Sequence, residues 1–225
     1  MRALDLFCGG GGAALGMIQA GFDVVGVDKD PHPNYPGEFI QGDVFTDAPD
    51  LAEFDFVWAS PPCQAFSSAF NSVRERKTVP VNLIPQTREL LSGHAFTCIE
   101  NVIPAPIRSD LRLSGPMFGL NRIVRERKFE LSFLVFQPSP VIRKFQCADF
   151  ERIVVTKTLR AQGHWYPRKE HGLPGQVEAE EACEAMGITI PMTREEVGES
   201  IPPAFAQFIA ERAKAQIQFR LTQKR

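Results

Sequence analysis

The sequence predicts an α/β domain built on a buried, mainly parallel sheet, with a small irregular subdomain late in the chain. Three observations carry this. Short apolar runs at residues 3–7, 24–27, 54–59 and 95–99 are each followed closely by Gly, Asp, Pro or Asn, as expected of strands covered on both faces. Helical stretches at residues 13–20 and 84–91 fall between these runs, the alternation of a layered α/β domain. Polar, chemistry-bearing residues cluster just after the strands, at the carboxyl rim where open α/β sheets bind ligands.

The 225 residues allow one full domain plus a small appendage, at roughly 150 residues per domain. With 44% hydrophobic and 23% charged residues the chain is globular in composition, which excludes disordered and fibrous classes. Its 25 Lys+Arg against 27 Asp+Glu leave a formal charge of −2, so any nucleic-acid surface has to be local. Eighteen Phe against two Tyr and two Trp favour apolar packing over a polar stacking platform. The five cysteines are odd in number, spread out and free of C-x-x-C pairs, which argues for no disulfide framework, no metal and a reducing compartment. No apolar run approaches the roughly 20 residues of a membrane span, and no signal pattern opens the chain. A cytoplasmic monomer is expected.

The first strand runs into Phe7-Cys8-Gly9-Gly10-Gly11-Gly12 before a helix, where glycines permit a tight turn and close approach to a ligand. Alone, this loop fits a structural turn as well as a nucleotide site. The next strand ends at Asp28, about twenty residues on, where an acid can accept bonds from ribose hydroxyls. A third strand candidate ends at Asp43. Either Asp could be a solvated turn residue. Together the loop and the two acids suggest an adenosine-bearing cofactor.

The fourth apolar run ends at Ser60-Pro61-Pro62-Cys63-Gln64-Ala65-Phe66-Ser67. Two prolines fix φ and remove two amide donors directly before the cysteine, so its thiol is held in place. A buried, inert thiol is the alternative for any isolated cysteine, and Cys98, inside a strand, fits it. Glu100-Asn101-Val102 closes the following strand and puts a carboxyl on the same rim as Cys63. A thiol with a carboxyl suits conjugate addition to carbon 6 of a pyrimidine: the carboxyl serves N3, and carbon 5 becomes nucleophilic.

Beyond residue 131 the periodicity degrades into short β-like pieces at 141–145 and 152–158 and a Gly/His/Pro-rich stretch at 163–175, read as a small irregular subdomain over residues 131–192. Thr193-Arg194-Glu195-Glu196 has the form of a capping box, with a stop at Gly198. Pro202-Pro203 then opens a final helix whose Phe205, Phe208, Ile209 and Ala213 require a packing partner, most simply the first domain. Residues 193–225 thereby complete a domain begun by residues 1–130.

The segments DLFCGGGG, VDKD, QGD, SPPCQAFS, ENV and GESIPP occur in the order found in DNA cytosine-5 methyltransferases, which the chain resembles from Asp5 to about Ala210; its compactness is similar to small phage-type members. The resemblance implies a Rossmann-like S-adenosylmethionine-dependent methyltransferase fold with a small target-recognition region. It implies methyl transfer from S-adenosylmethionine to carbon 5 of an extruded cytosine in duplex DNA, with Cys63 as nucleophile and Glu100 on the N3 edge. Phe7, Cys8, Gly9, Gly11, Asp28, Lys29, Asp43, Val44, Pro62, Glu199 and Ser200 would then surround the cofactor, with Asp28 on its ribose and Asp43 at its adenine. Arg125 and Arg127 match the family's Q-x-R-x-R element, steadying the carboxyl and the base, although alternating charge could also be a solvated strand face. Gln64, Ser67, His164, Trp165, Arg168 and Lys169, with Tyr166 among them, are the expected DNA-facing residues; an irregular satellite core is the alternative for the 164–169 cluster.

Three departures stand out: Ile123 where the element has Gln, Asp28 where many members have Glu, and Glu199 where Asn is usual. Three rival functions stand beside it: an RNA cytosine-5 methyltransferase, since the transfer-RNA branch also carries P-P-C-Q, a catalytically silent DNA-binding derivative, and, given the small recognition region, a free-nucleotide methylase.

Overall fold

The computed structural model describes residues 1–66, 80–139 and 178–223, together with the backbone of two short strands at Arg152–Val154 and Arg160–Gln162. Strand β1 (Arg2–Leu6) is buried from Ala3 onward, as its apolar run requires, and leads through the glycine loop into α1 (Gly12–Gln19). β2 (Asp23–Asp28) and β3 (Glu38–Gln41) follow, then a 3-10 turn at Leu51–Glu53 capped by the Asp50 carboxylate, then β4 (Phe56–Ala59). α2 (Ile84–Leu90) carries a proline in its first turn, where no amide partner is needed, and β5 (Thr97–Asn101) is buried throughout.

β6 (Leu111–Leu113) and β7 (Arg127–Leu131) complete the sheet; β8 and β9, at Arg152–Val154 and Arg160–Gln162, pair separately as an antiparallel ribbon. Three helices close the chain: α3 (Ala179–Met186), α4 (Arg194–Glu199) and α5 (Pro203–Gln223).

The sheet order is β3-β2-β1-β4-β5-β7-β6. The first five strands are parallel, and β7 runs antiparallel to both β5 and β6. The chain therefore winds outward from β1 to β3 and returns to β4, so strand order reverses between β1 and β4. Their carboxyl ends open the crevice in which such sheets hold ligands.

One face of the sheet buries Phe56, Trp58 and Phe129 against α1 and α5, with the Phe205 ring edge-on to Phe129. The opposite face buries Leu4, Leu6, Val57 and Ile99 around Ile84 of α2. α5 lies so close to α1 that a Cβ on Gly16 would fall 2.1 Å from the Pro203 carbonyl oxygen. The expected apolar stripe of the last helix is present: Phe205, Ile209 and Ala213 are fully buried, while Phe208 is half-buried beneath the Arg212 guanidinium.

The structure differs from the sequence reading in several elements. Within residues 131–192, read as irregular, α3 is a regular helix; its Ala182, Cys183, Ala185 and Met186 pack with Leu15, Ile123 and Val197. Its acidic residues are favourable there, because Glu180 and Glu181 occupy the first turn, at the positive end of the helix dipole, and Gly187 closes the far end with φ +71°. The α4 capping box forms as expected, yet the helix passes Gly198 and ends at Glu199. β3 stops at Gln41, two residues before Asp43, because Asp47 accepts from the Asp43 amide and pulls the chain into a turn. β6 was not anticipated.

Candidate active site

Phe7, with φ +56°, turns the chain out of β1, and the Cys8 amide donates to the Val27 carbonyl at 3.2 Å. The Gly9 amide then donates to Asp28 Oδ2 at 2.9 Å, while Asp28 Oδ1 accepts from the Asp30 amide at 3.1 Å. The glycines divide the work. A Cβ on Gly10 would meet the Glu196 side chain at 2.9 Å and one on Gly12 the Ile201 carbonyl oxygen at 2.6 Å, so both lie under the C-terminal segment. Gly9, at φ +49°, has nothing within 4 Å of that position and faces open space beside the Asp28 carboxylate.

An open, side-chain-free turn next to an acceptor-only carboxylate is the environment a nucleoside with a free diol requires. Lys29 is exposed and its carbonyl accepts from Gln41 Nε2, fixing the chain after Asp28. Asp43 is exposed, with Oδ1 accepting the Phe45 amide at 2.8 Å; Val44 is buried, and the Phe45 ring meets Phe7 edge-on at 5.8 Å. The Cys8 side chain is buried, so what this residue offers a ligand is backbone.

Three further residues, outside the expected site residues, hold this half of the site. His32 Nδ1 lies 2.7 Å from Glu196 Oε1 and its Nε2 3.9 Å from Asp28 Oδ1, joining α4 to the acid at the end of β2. Glu196 is also the capping-box acid, its Oε2 accepting the Thr193 amide at 2.7 Å. Tyr35 folds back over Gly11 and donates to the buried Asp5 carboxyl at 3.1 Å. The spacing of Thr193 and Glu196 gave the only sequence signal; the pairing with His32 spans 164 residues.

The second half of the site is built by β4, β5 and β7. Ser60, Pro61, Pro62 and Cys63 extend irregularly from β4, and residues 64–66 turn, with the Phe66 amide donating to the Cys63 carbonyl at 2.9 Å. Asn101 is buried at the end of β5 and donates from Nδ2 to the Pro61 carbonyl at 2.8 Å, so one side chain ties the two strand ends together. Glu100 is buried beside it. Its Oε1 lies 2.9 Å from Arg127 Nε, and the Ser60 hydroxyl also donates to it while accepting the Trp58 indole at 2.9 Å.

Arg125, half-buried with φ +39°, reaches the other way: Nη2 donates to the Gly198 carbonyl at 2.8 Å and to the Ser200 carbonyl. The Ser200 side chain is buried, with Oγ at 3.4 Å from Met192 Sδ. Ile123, in the place of the expected Gln, is a buried apolar residue of the α3–α4 cluster.

Electrostatics separate the two reactive groups. Burial pushes the Cys63 thiol up; Arg127 and Arg125 pull it back, and Glu100 and Glu199 add to the rise. Burial likewise holds the Glu100 carboxyl above the ordinary range, against the pull of Arg127, Arg125 and the Ser60 hydroxyl. Resting Cys63 is therefore a thiol, and Glu100 keeps a proton to higher pH than an exposed carboxyl does.

Cys63, Glu100, Arg125 and Arg127 thus act on one another within the second half of the site. Phe7, Gly9, Asp28 and Asp43 border the other half, with Gly11 closed over by Tyr35 and Pro36. Pro62 and Gln64 flank Cys63, both half-buried, and Glu199 is exposed between the carbonyls that Arg125 binds. Ser67, His164, Trp165, Tyr166, Arg168 and Lys169 lie outside the described residues. Among the described residues no group of His, Cys, Asp and Glu could hold a metal ion, and no helix is long and apolar enough to cross a membrane.

The sequence profile of C-5 cytosine-specific DNA methylases matches residues 1–92. The Type II methyltransferase M.HgiGI of Herpetosiphon aurantiacus is 37% identical over 84 residues, a match covering 31% of this chain and 64% of that protein. M.HgiDI of the same organism is 32% identical over 81 residues, 31% of this chain and 26% of its own length. The matched stretch thus spans less than two thirds of either relative.

Solved structures match over nearly the whole chain. A DNMT2 mutant from Spodoptera frugiperda has a TM-score of 0.58 at 14% identity, covering 97% of this chain and 100% of its own. Dnmt2 of S. pombe gives 0.59 at 14%, covering 96% and 99%. A putative DNA modification methyltransferase encoded in an E. coli prophage gives 0.54 at 16%, covering 97% and 99%. At these identities the likeness is one of fold.

Proposed function

We propose that the chain is a DNA cytosine-5 methyltransferase that methylates carbon 5 of cytosine in duplex DNA, a reading supported by the profile match over residues 1–92 and by the Type II methyltransferase relatives. The observation that carries the proposal is the pairing of Cys63, fixed behind two prolines, with a buried Glu100 held by Arg127 at 2.9 Å and joined to the Cys63 loop through Asn101. The family's methyl donor, S-adenosylmethionine, supplies when bound an electrophilic methyl on a sulfonium. The open turn at Gly9 and the carboxylate of Asp28 suit its ribose. Phe7, Cys8, Gly11, Lys29, Asp43, Val44, Pro62 and Ser200 would form the rest of its surroundings.

In the reaction the target base leaves the duplex stack, since carbons 5 and 6 cannot be attacked within it. Glu100, whose environment favours the neutral acid, hydrogen-bonds the N3 edge and gives it a proton. Cys63, deprotonated as the base docks, adds its sulfur to carbon 6, and the ring electrons move to carbon 5, which takes the methyl. Loss of the carbon-5 proton restores the double bond and expels the thiolate, and the N3 proton returns to Glu100. Arg127 keeps the carboxyl aimed at the ring, and Arg125 holds the C-terminal loop against the site. Target reading falls to residues 131–192, anchored at their far end by α3.

DNA is favoured over RNA by the description of the matching profile and by the two Type II methyltransferase relatives. The test incubates the protein with methyl-labelled S-adenosylmethionine and, in parallel, duplex DNA, transfer RNA and dCMP, then digests and identifies the labelled nucleoside. Label in 5-methyldeoxycytidine from the duplex is expected. Label confined to RNA would replace the substrate, and cofactor binding with no label would favour a silent DNA-binding derivative.

A further inference from the structure

The reaction proposed above needs a base for the carbon-5 proton, and Glu100 cannot be that base. Its carboxyl is bonded to Arg127 and Ser60 and serves the N3 edge in the plane of the ring, whereas the carbon-5 proton departs from one of the ring's faces. The thiol takes one face of the ring, so the methyl arrives from the other and turns the carbon-5 hydrogen toward the thiol's face. A base must therefore stand on the Cys63 side and exchange its proton with solvent.

Glu199 meets both requirements. It sits at the end of α4 between Gly198 and Ser200, whose carbonyls are both bound by Arg125 Nη2. Arg125 is half-buried, its charge acting on Cys63 and Glu100, in a backbone conformation that non-glycine residues seldom adopt, with φ +39°. Such strain persists only where the surroundings enforce it. Here it fixes the peptide units on both sides of Glu199 against the thiol–carboxyl pair. The Glu199 charge acts on both the Cys63 thiol and the Arg125 guanidinium, and its residue is exposed, with access to water. Among the described residues, Glu100 and Glu199 are carboxylates that act on the thiol, and Glu100 serves the N3 edge.

We propose that Glu199 is the general base that removes the carbon-5 proton. Its carboxylate takes the hydrogen of the methylated carbon 5, and the C–H electron pair re-forms the carbon 5–carbon 6 double bond. The carbon 6–sulfur bond breaks with its electrons going to Cys63, and the proton passes from Glu199 to solvent. This inference rests on the cytosine-5 methylation reading, and the experiment separates the two. The full chain and its E199Q variant are given methyl-tritiated S-adenosylmethionine and mixed-sequence duplex DNA. Steady-state methylation, cofactor affinity by calorimetry and label in DNA-linked protein on a denaturing gel are then read.

General-base removal predicts turnover lower by about 10²–10⁴-fold in E199Q. Cofactor affinity should stay within about twofold, and a protein–DNA adduct already carrying the labelled methyl should accumulate, because its ring cannot release the thiol; E199D should restore part of the turnover. Wild-type turnover in E199Q, lost turnover without the labelled adduct, or a parallel loss of cofactor affinity would each overturn the assignment. A wild-type protein that labels no cytosine would overturn the methylation reading itself.

Discussion

Glu100 and Arg127 meet at 2.9 Å across the antiparallel pairing of β5 and β7, as diagonal neighbours: Glu100 lies opposite Phe129, two residues from Arg127. Their side chains are 9% and 13% exposed. The strand pairing therefore does more than close the sheet, since it delivers a cation to the one acid that β5 buries at the rim.

Removing Arg127 leaves a buried carboxyl short of a hydrogen-bond donor, a loss of about 1–3 kcal/mol. R127A should lose roughly that much stability in urea denaturation together with most of its methylation. R127K keeps the charge without the planar fork and should recover stability better than activity. Equal recovery of both would mean that Arg127 only holds the fold.

The two raised groups set the pH dependence. Glu100 has to be protonated and Cys63 ionised, so kcat/KM should rise with pH until Glu100 begins to titrate, flatten while the two ionisations offset each other, and fall once the thiol is fully ionised. E100Q cannot titrate. Its residual activity should climb with pH into the thiol's own range and then hold level; a falling limb retained in E100Q would assign that limb to another group.

The glycine loop separates ligand space from packing. G9A places its methyl in open space at φ +49°, so it should cost only about 1–2 kcal/mol of stability while cofactor affinity falls at least tenfold. G12A drives a methyl to 2.6 Å from the Ile201 carbonyl, and should cost about 1–3 kcal/mol through displacement of the C-terminal segment. Thermal melts and calorimetry check both. Unchanged cofactor affinity in G9A would move the ligand away from this turn.

The His32–Glu196 contact ties α4 to the Asp28 end of β2. H32A should weaken cofactor binding about tenfold and leave kcat near wild type, since His32 contacts Glu196 and Asp28. E196A also removes the capping-box acid and should add about 1 kcal/mol of destabilisation. A fall in kcat with unchanged cofactor affinity would contradict the positioning role.

The strands that could be read from sequence are those whose apolar runs are buried on both faces: β1, β2, β4 and β5. β7 was obscured because its Arg127, Lys128 and Glu130 read as solvated alternation, whereas Arg127 meets Glu100 and Glu130 takes Arg88 and the Arg108 amide. α3 was obscured because four acids outweigh a short apolar stripe until a neighbour covers it. Cys63, Glu100 and Asp28 were legible as motif residues at strand ends. His32 and Tyr35 were not, since their partners, Glu196 and Asp5, are brought to them only by the fold.

The central claim, a covalent bond between Cys63 and carbon 6 of the target cytosine, is tested most directly with duplex DNA containing 5-fluorodeoxycytidine, from which carbon 5 cannot lose its substituent after methylation. With methyl-labelled S-adenosylmethionine the wild-type chain should yield a DNA-linked band that survives denaturation and carries the label, and C63A should yield none. An equal labelled adduct in C63A, or methylation of ordinary duplex DNA by C63A, would contradict the claim.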